Sequence, residues 1–207
     1  MTAFNLIKSL TKRGNIVLGS GCYAAAINSS DPSQIIKIGN SMNDPWLDYY
    51  HGIIKTNQAN PHAPKVKYFM CDEQHNYYIC IMERLEEEGE HKTNIATLCR
   101  DYTSQMITRE EFVQATIKFS NAIPCPDMLA NLLDKIYEDT QVFDYEDCEE
   151  FEQDNSFRKL DMHRGNFMFR DGIVIVTDPW CEADMSDNVD VSDWVDRMSR
   201  KTTSASW

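Results

Sequence analysis

Short apolar runs separated by Gly, Asn, Asp and Pro dominate the first part of this chain. Runs of this length, bounded by turn residues, are typical of β-strands. They predict strands near residues 14–18, 22–28, 34–39, 65–71 and 76–82. A helix is predicted over residues 44–58, because Pro45 suits the first helical turn and Asp44 suits its cap. The first part of the chain is therefore expected to be a small, mostly β unit.

After residue 90 the apolar residues recur with the three-to-four-residue period of a helix. Thr108 and Glu111 have the spacing of a capping box, which marks one helix start. Asp184–Asp196 carries an aspartate every three residues beside an apolar stripe, which predicts an amphipathic helix near the end of the sequence. The other helices are predicted at residues 92–104, 108–121, 127–138 and 143–152.

A hairpin is predicted between these helices and the tail. Phe167–Phe169 and Ile173–Thr177 are apolar runs joined through Asp171-Gly172, a pair that favours a tight β-turn. This hairpin would carry Asp178 back beside the residues that precede it.

Candidate chemistry lies around that hairpin, in Leu160-Asp-Met-His-Arg-Gly-Asn166. Asp161 and Asn166 are five residues apart, and Asp178 follows twelve residues later. Phosphoryl transfer from ATP needs a carboxylate to orient the acceptor hydroxyl and oxygen ligands to hold Mg²⁺. Asp161 suits the first role, and Asn166 and Asp178 suit the second. Asp and Asn also crowd ordinary turns, so the hypothesis depends on the hairpin and Asp178 together.

A second candidate lies near the N-terminus, at Gly19-Ser20-Gly21. Glycines between two strands let backbone N–H groups approach phosphate oxygens. The next strand contains Lys37 among isoleucines, and a buried ammonium needs an anionic partner, which ATP phosphates would supply. The simpler interpretation is a plain hairpin turn followed by an edge-strand charge. The order of glycine turn, strand lysine, Asp161, Asn166 and Asp178 favours a kinase.

With these motifs the chain resembles the protein-kinase-like superfamily and, more closely, the early serine/threonine protein kinases of the autographiviruses, the T-seven-like bacteriophages. The closer likeness rests on Leu18–Gly21 with Ala24–Ala26, on Ile35–Gly39, and on Asp161–Phe169 through Thr177–Pro179. The resemblance implies an α+β, bilobed fold with a β-rich N-lobe at about residues 1–85 and a reduced helical C-lobe at 86–207. ATP and Mg²⁺ would bind between them.

The resemblance also implies further site residues. Glu83 and Leu85 would offer backbone groups to adenine, with Met82 lining the pocket, although Met82 also suits plain core packing. Either Asp44 or Asp48 would pair with Lys37. His163 stands where protein kinases often have a lysine, and small-molecule kinases share the Asp-x-His-x-x-Asn form.

Composition limits the partners. The formal charge of −13 and pI near 4.7 disfavour nucleic acid and anionic membranes and favour basic protein surfaces. Seven scattered cysteines form no C-x-x-C pair, so neither a disulfide framework nor a zinc site is expected. No apolar run suggests a signal peptide or membrane span. We therefore expect a cytoplasmic protein, which the resemblance places in the bacterial host.

The favoured hypothesis is an ATP-dependent serine/threonine protein kinase. The resemblance implies host proteins as substrates, including transcription and RNA-processing machinery, and a link to host transcription shut-off. One alternative is a small-molecule kinase of the aminoglycoside or choline type, suggested by His163. The other is a non-catalytic acidic protein that captures a basic host protein through the segments Asp134–Asp154 and Asp184–Asp196.

Overall fold

The computed structural model describes residues 2–141 and 158–182. Within these limits the chain forms two units. The first contains residues up to 44 and residues 66–84, and the second contains residues 45–65 and the described part of 85–184. The predicted helix at 143–152, the tail helix at 184–196 and most of the predicted acidic segment lie outside the described residues. Both helices and antiparallel sheet are present, which confirms the α+β class.

The first unit opens with a helix that the sequence analysis did not predict, α1 (Ala3–Lys12). Thr2 caps it, since its hydroxyl accepts a hydrogen bond from the backbone N–H of Asn5 at 3.3 Å. Leu6, Ile7 and Leu10 belong to the cluster that packs this helix on the sheet. Their spacing of i, i+1 and i+4 was the available signal, because it places all three on one helical face.

Five antiparallel strands complete the first unit, in the order β1-β2-β3-β5-β4. All five correspond to predicted strands. Ile36 and Ile38 pack in the cluster beneath α1, so alternation turns Lys37 to the opposite face. On that face Lys37 lies between Ala26 of one neighbouring strand and Cys80 of the other. The strands are β1 (Val17–Ser20), β2 (Ala24–Asn28), β3 (Gln34–Gly39), β4 (Val66–Asp72) and β5 (Tyr77–Glu83).

Four helices of the second unit correspond to the predicted ones with shifted ends. They are α2 (Pro45–Gly52), α3 (Lys92–Thr103), α4 (Arg109–Thr116) and α5 (Pro126–Gln141). Helix α2 ends at Gly52, a poor helix former, and a short 3-10 turn follows it. The capping box at the start of α4 is confirmed: Thr108 accepts from the Glu111 backbone, and the Glu111 carboxylate accepts from the Thr108 backbone.

The predicted hairpin is also confirmed, as β7 (Phe167–Arg170) and β8 (Ile173–Val176). Asp171 and Gly172 have φ of 51° and 80°, the left-handed pair that a tight two-residue hairpin turn requires. A second antiparallel pair flanks it, β6 (Arg158–Leu160) with β9 (Trp180–Glu182). The two pairs together bring residues 161–166 and 177–179 to the same end of the strands.

The described helices include none that is both long and apolar enough to cross a membrane. Six cysteines within the described residues are free thiols, in agreement with the expected lack of a disulfide framework there. Two of them, Cys80 and Cys99, are fully buried core residues.

Candidate functional site

The Asp161 loop, residues 161–166, connects β6 to β7 through a 3-10 turn at Arg164–Asn166. Its first residue is fixed by the backbone: the N–H of Asp161 donates to the carbonyl of Pro179 at 2.7 Å. His163 opens the turn, with its Nδ1 accepting from the N–H of Gly165 at 2.9 Å. A Cβ at Gly165 would stand 2.5 Å from the imidazole, so a larger residue there would displace the His163 ring from this hydrogen bond.

Asn166 is held on the opposite side of the loop. Its Nδ2 donates to the carbonyl of Asp161 at 2.7 Å, which orients the amide and leaves Oδ1 as its remaining ligand atom. The carbonyl of Asn166 accepts from both the N–H and the Oγ1 of Thr177, each at 2.9 Å. Asp161 and Asn166 are therefore tied to each other and to the residues on either side of Asp178.

Asp178 lies between these attachment points, half-buried, in the turn from β8 to β9. Burial raises the pKa of the neighbouring Cys181 thiol, and the negative charges of Asp161 and Asp178 both raise it further. Both carboxylates are thus close enough to act electrostatically on one side chain. The structure brings together Asp161, Asn166 and Asp178, as the motif spacing predicted.

The side chains of His163 and Arg164 are exposed. The Nε2 of His163 lies 3.5 Å from Oδ2 of Asp161, and the Asp161 side chain is 32% exposed. Because Nδ1 accepts a hydrogen bond, the neutral ring carries its proton on Nε2, facing the carboxylate. Arg164 donates to Glu88 at 2.9 Å. The loop therefore presents the partly exposed carboxylate of Asp161, with the His163 imidazole beside it and Arg164 paired with Glu88.

The oxygen atoms of this loop suit Mg²⁺. Asn166 Oδ1 and the Asp178 carboxylate are hard donors, and Mg²⁺ commonly takes only one or two protein ligands and completes its shell with water and phosphate. No group of three or more His, Cys, Asp or Glu that could hold a metal occurs in the described parts of the chain. Asn166 and Asp178 therefore offer two hard oxygen donors of the kind that Mg²⁺ prefers.

The glycine turn, Gly19–Gly21, belongs to the first unit and begins within a strand, earlier than predicted: Gly19 and Ser20 are the last residues of β1, paired with Ala26 and Ala25 of β2, and Gly21 opens the turn between the two strands. The N–H of Gly21 donates to the carbonyl of Ala24 at 2.9 Å. Neither glycine has a left-handed φ, and a Cβ at either would meet nothing within 4 Å. Neither turn geometry nor crowding within the chain requires glycine at these positions. The bare backbone, with Ser20 between the glycines, is exposed.

Lys37 is half-buried in the first unit, opposite Cys80. Burial raises the pKa of Cys80 to about 12, and the positive charge of Lys37 acts in the opposite direction. Of the acids considered as its partner, Asp44 is buried and accepts from the Tyr78 hydroxyl at 2.5 Å, whereas Asp48 is half-buried in α2. The choice between the two acids stays open.

The predicted adenine-binding residues lie at the end of β5. Met82 is buried, in register with Ile35, and Glu83 ends the strand. Leu85 follows in the second unit and is half-buried. Glu86 then pairs with Phe169 of β7 through two backbone hydrogen bonds of 2.8 Å. The segment after β5 is thus bonded to the hairpin that follows the Asp161 loop.

Two residues at this site were missed by the sequence analysis. Tyr49 of α2 donates its hydroxyl to the carbonyl of Val176 at 2.8 Å, and the His62 carbonyl accepts from the N–H of Val176 at 3.0 Å. Tyr49 belongs to an apolar stripe of a helix, and this pattern indicates core packing. His62 lies in a loop rich in Asn and Pro, where no periodic pattern of apolar residues indicates that it is buried.

No protein-family model matches this chain, and a comparison with curated proteins gives no match to its sequence.

Proposed function

We propose that this chain is an ATP- and Mg²⁺-dependent phosphotransferase with a bilobed, kinase-like fold, whose acceptors are serine and threonine hydroxyls of proteins. One observation carries the proposal. A single set of hydrogen bonds ties Asp161, Asn166 and the residues on both sides of Asp178 together. A base and two oxygen ligands, held in fixed relation, are the parts that phosphoryl transfer needs from a protein.

In this proposal Asp161 orients the acceptor hydroxyl and accepts its proton. Its backbone is fixed by Pro179 and Asn166, while its side chain stays partly exposed, so an acceptor can reach it. Asn166 and Asp178 hold Mg²⁺, which neutralises phosphate charge when bound. His163, with its Nε2 proton toward Asp161, orients that carboxylate or contacts the transferred phosphoryl group.

The first unit would supply the nucleotide contacts. Lys37 would pair with ATP phosphates, and the exposed backbone of Gly19, Ser20 and Gly21 would lie against the phosphate oxygens, with the Gly21 N–H already donated to the Ala24 carbonyl. The open space above the glycine turn supports this role, since nothing in the chain itself accounts for glycine there. Backbone groups of Glu83 and Leu85, beside Met82, would recognise adenine.

A protein acceptor is favoured by charge near the Asp161 loop. Glu88 pairs with Arg164 of the loop, and Glu86, bonded to β7 through its backbone, belongs to the same acidic run Glu86–Glu88, so acidic residues lie close to the loop. Acidic surroundings favour basic protein segments over anionic substrates. Proteins of a bacterial host are the substrates that the phage-kinase resemblance suggests. A small-molecule kinase is the second candidate, favoured by the His163 hydrogen bond to the Gly165 backbone within an Asp-x-His-x-x-Asn motif.

The test is transfer of label from radiolabelled ATP in a bacterial lysate containing Mg²⁺, followed by phosphoamino-acid analysis. We expect labelled phosphoserine or phosphothreonine that depends on the added protein. Label found only in small metabolites would replace the protein-kinase proposal with the small-molecule kinase. No label in either fraction would contradict phosphotransfer altogether.

A further inference from the structure

The backbone that carries Asp178 is held by two hydroxyl groups. The hydroxyl of Tyr49 donates to the carbonyl of Val176 at 2.8 Å, and the hydroxyl of Thr177 donates to the carbonyl of Asn166 at 2.9 Å. Val176 and Thr177 are the two residues directly before Asp178. Their hydrogen bonds to α2 and to the Asp161 loop fix the direction in which the chain enters Asp178.

Tyr49 is suited to this task because it is fully enclosed. It has 0% exposed surface, and its ring meets Trp180 edge to face, with centroids 5.8 Å apart. Burial raises the pKa of Tyr49, and the negative charge of Asp178 raises it further. The hydroxyl thus donates to the Val176 carbonyl from a position closed to solvent.

Thr177 acts on the other side of the same backbone. Its N–H and Oγ1 both donate to the carbonyl of Asn166, so the bond joins the two proposed metal-holding residues through one intermediate residue. Valine has nearly the shape of threonine without the hydroxyl, and serine keeps the hydroxyl. This position therefore offers a matched pair of variants.

We propose that Tyr49 and Thr177 are positioning residues that set the affinity of the Asn166–Asp178 pair for a divalent cation bound with nucleotide. The inference rests on the proposed function and deepens it. A metal ligand gains affinity when its orientation is fixed before the metal arrives, and partners behind the ligands commonly change metal affinity by about 10- to 100-fold. Neither hydroxyl needs to touch the metal, the nucleotide or the acceptor.

The test measures cation binding directly. Mn²⁺ is titrated into the full chain with a non-hydrolysable ATP analogue, and free Mn²⁺ is followed by electron paramagnetic resonance. Tyr49→Phe and Thr177→Val should each weaken Mn²⁺ binding by about tenfold. Thr177→Ser should stay within about twofold of the wild type, since it retains the donor.

Tyr102→Phe is the control for loss of a tyrosine hydroxyl in the same unit. Tyr102 donates to Asp134 at 2.5 Å, between helices and outside the proposed site. This variant should lose stability like Tyr49→Phe and yet bind Mn²⁺ like the wild type. A purely structural role for Tyr49 would make the two tyrosine variants alike in both measurements.

Transfer kinetics separate the inference from the function on which it rests. Tyr49→Phe and Thr177→Val should raise the Mg²⁺ concentration for half-maximal transfer and leave the rate at saturating Mg²⁺ within about threefold of wild type. If the wild type transfers phosphate and these variants bind Mn²⁺ as tightly as Tyr102→Phe, the positioning inference is wrong and the proposed function survives. A wild type that neither binds Mn²⁺ with nucleotide nor transfers phosphate overturns both.

Discussion

His62 shows at the scale of one residue how the second unit is held together. It has 0% exposed surface, and its Nδ1 donates to the carbonyl of Val174 at 2.8 Å. Its backbone carbonyl accepts from Val176 of the same strand. Burial lowers the pKa of His62, and although the carbonyl of Val174 acts against this shift, the nearby charge of Arg170 lowers it too. A neutral imidazole is therefore part of the folded structure beside β8.

This gives a prediction for stability against pH. Since the pKa of His62 is below its ordinary value of 6.5 when folded, the unfolded chain takes up the proton first as the pH falls. The stability that His62 provides is thus fully present above that value and is lost as the pH falls toward the folded pKa. His62→Gln should be less stable near neutral pH, yet should lose less further stability on acidification to about pH 5.

Urea unfolding across this pH range provides the measurement, and the exposed substitution His51→Gln is the control. If His62→Gln lost stability with acid as steeply as the wild type, the buried imidazole would not be the acid-sensitive group.

The sequence suggested candidate site residues, but it gave no indication of their hydrogen-bond partners. Asp161, Asn166 and Asp178 were identified because phosphoryl transfer needs those oxygen groups at that spacing. Tyr49 and His62 reach Val176 from positions 127 and 114 residues earlier in the chain, and sequence spacing carries no signal for such contacts. The alternative acids Asp44 and Asp48 could not be separated for the same reason.

At the scale of elements, the strands and the hairpin lie close to the positions predicted from the hydrophobic pattern. Turn chemistry explains this result, since Asp171-Gly172 supplies two left-handed residues and fixes the register of β7 against β8. Helix α1 was missed because its short stripe at the N-terminus gains its stability from packing on the sheet. Helix α2 was predicted too long. The polar and apolar residues after Gly52 have helical spacing, but the chain there forms a 3-10 turn.

The glycine turn provides the prediction at this scale. Because a side chain at Gly19 would meet nothing within 4 Å, Gly19→Ala and Gly19→Val should fold with a melting temperature no lower than that of the wild type. If backbone N–H groups of this turn bind ATP phosphates, a larger side chain would block their approach. The KM for ATP should then rise in the order Gly, Ala, Val, by about tenfold for valine, or ~1.4 kcal/mol.

Initial rates against ATP concentration, together with thermal melting of each variant, make the comparison. If the KM for ATP were unchanged in Gly19→Val, the segment would be a plain hairpin turn with no role in binding ATP. A lower melting temperature with unchanged KM would lead to the same conclusion.

At the scale of the whole molecule, the sequence predicted the α+β class and the acidic surface but left the function between catalysis and capture. The formal charge of −13 would let the chain bind a basic protein without catalysing a reaction. The hydrogen-bonded Asp161 loop supports the proposed catalysis, because a protein that only captures partners has no need to hold Asp161 and Asn166 beside the residues that flank Asp178. Capture by charge would weaken as salt rises, since screening acts on exposed charges.

Asp161 separates these two accounts. Asp161→Asn keeps the shape of the side chain and removes the base, and Asp171→Asn is a matched control. Asp171 is exposed in the hairpin turn at φ 51°, a conformation that asparagine adopts well. Both variants change the net charge by the same amount, so both should capture a basic partner equally.

The most direct measurement is therefore the rate of phosphoryl transfer from radiolabelled ATP to protein serine and threonine in Mg²⁺, compared among the wild type and these two variants. We predict that Asp161→Asn lowers this rate by about 10²- to 10⁴-fold while remaining folded, and that Asp171→Asn retains the wild-type rate. A folded Asp161→Asn protein that transfers phosphate as fast as the wild type would contradict the proposed role of the loop.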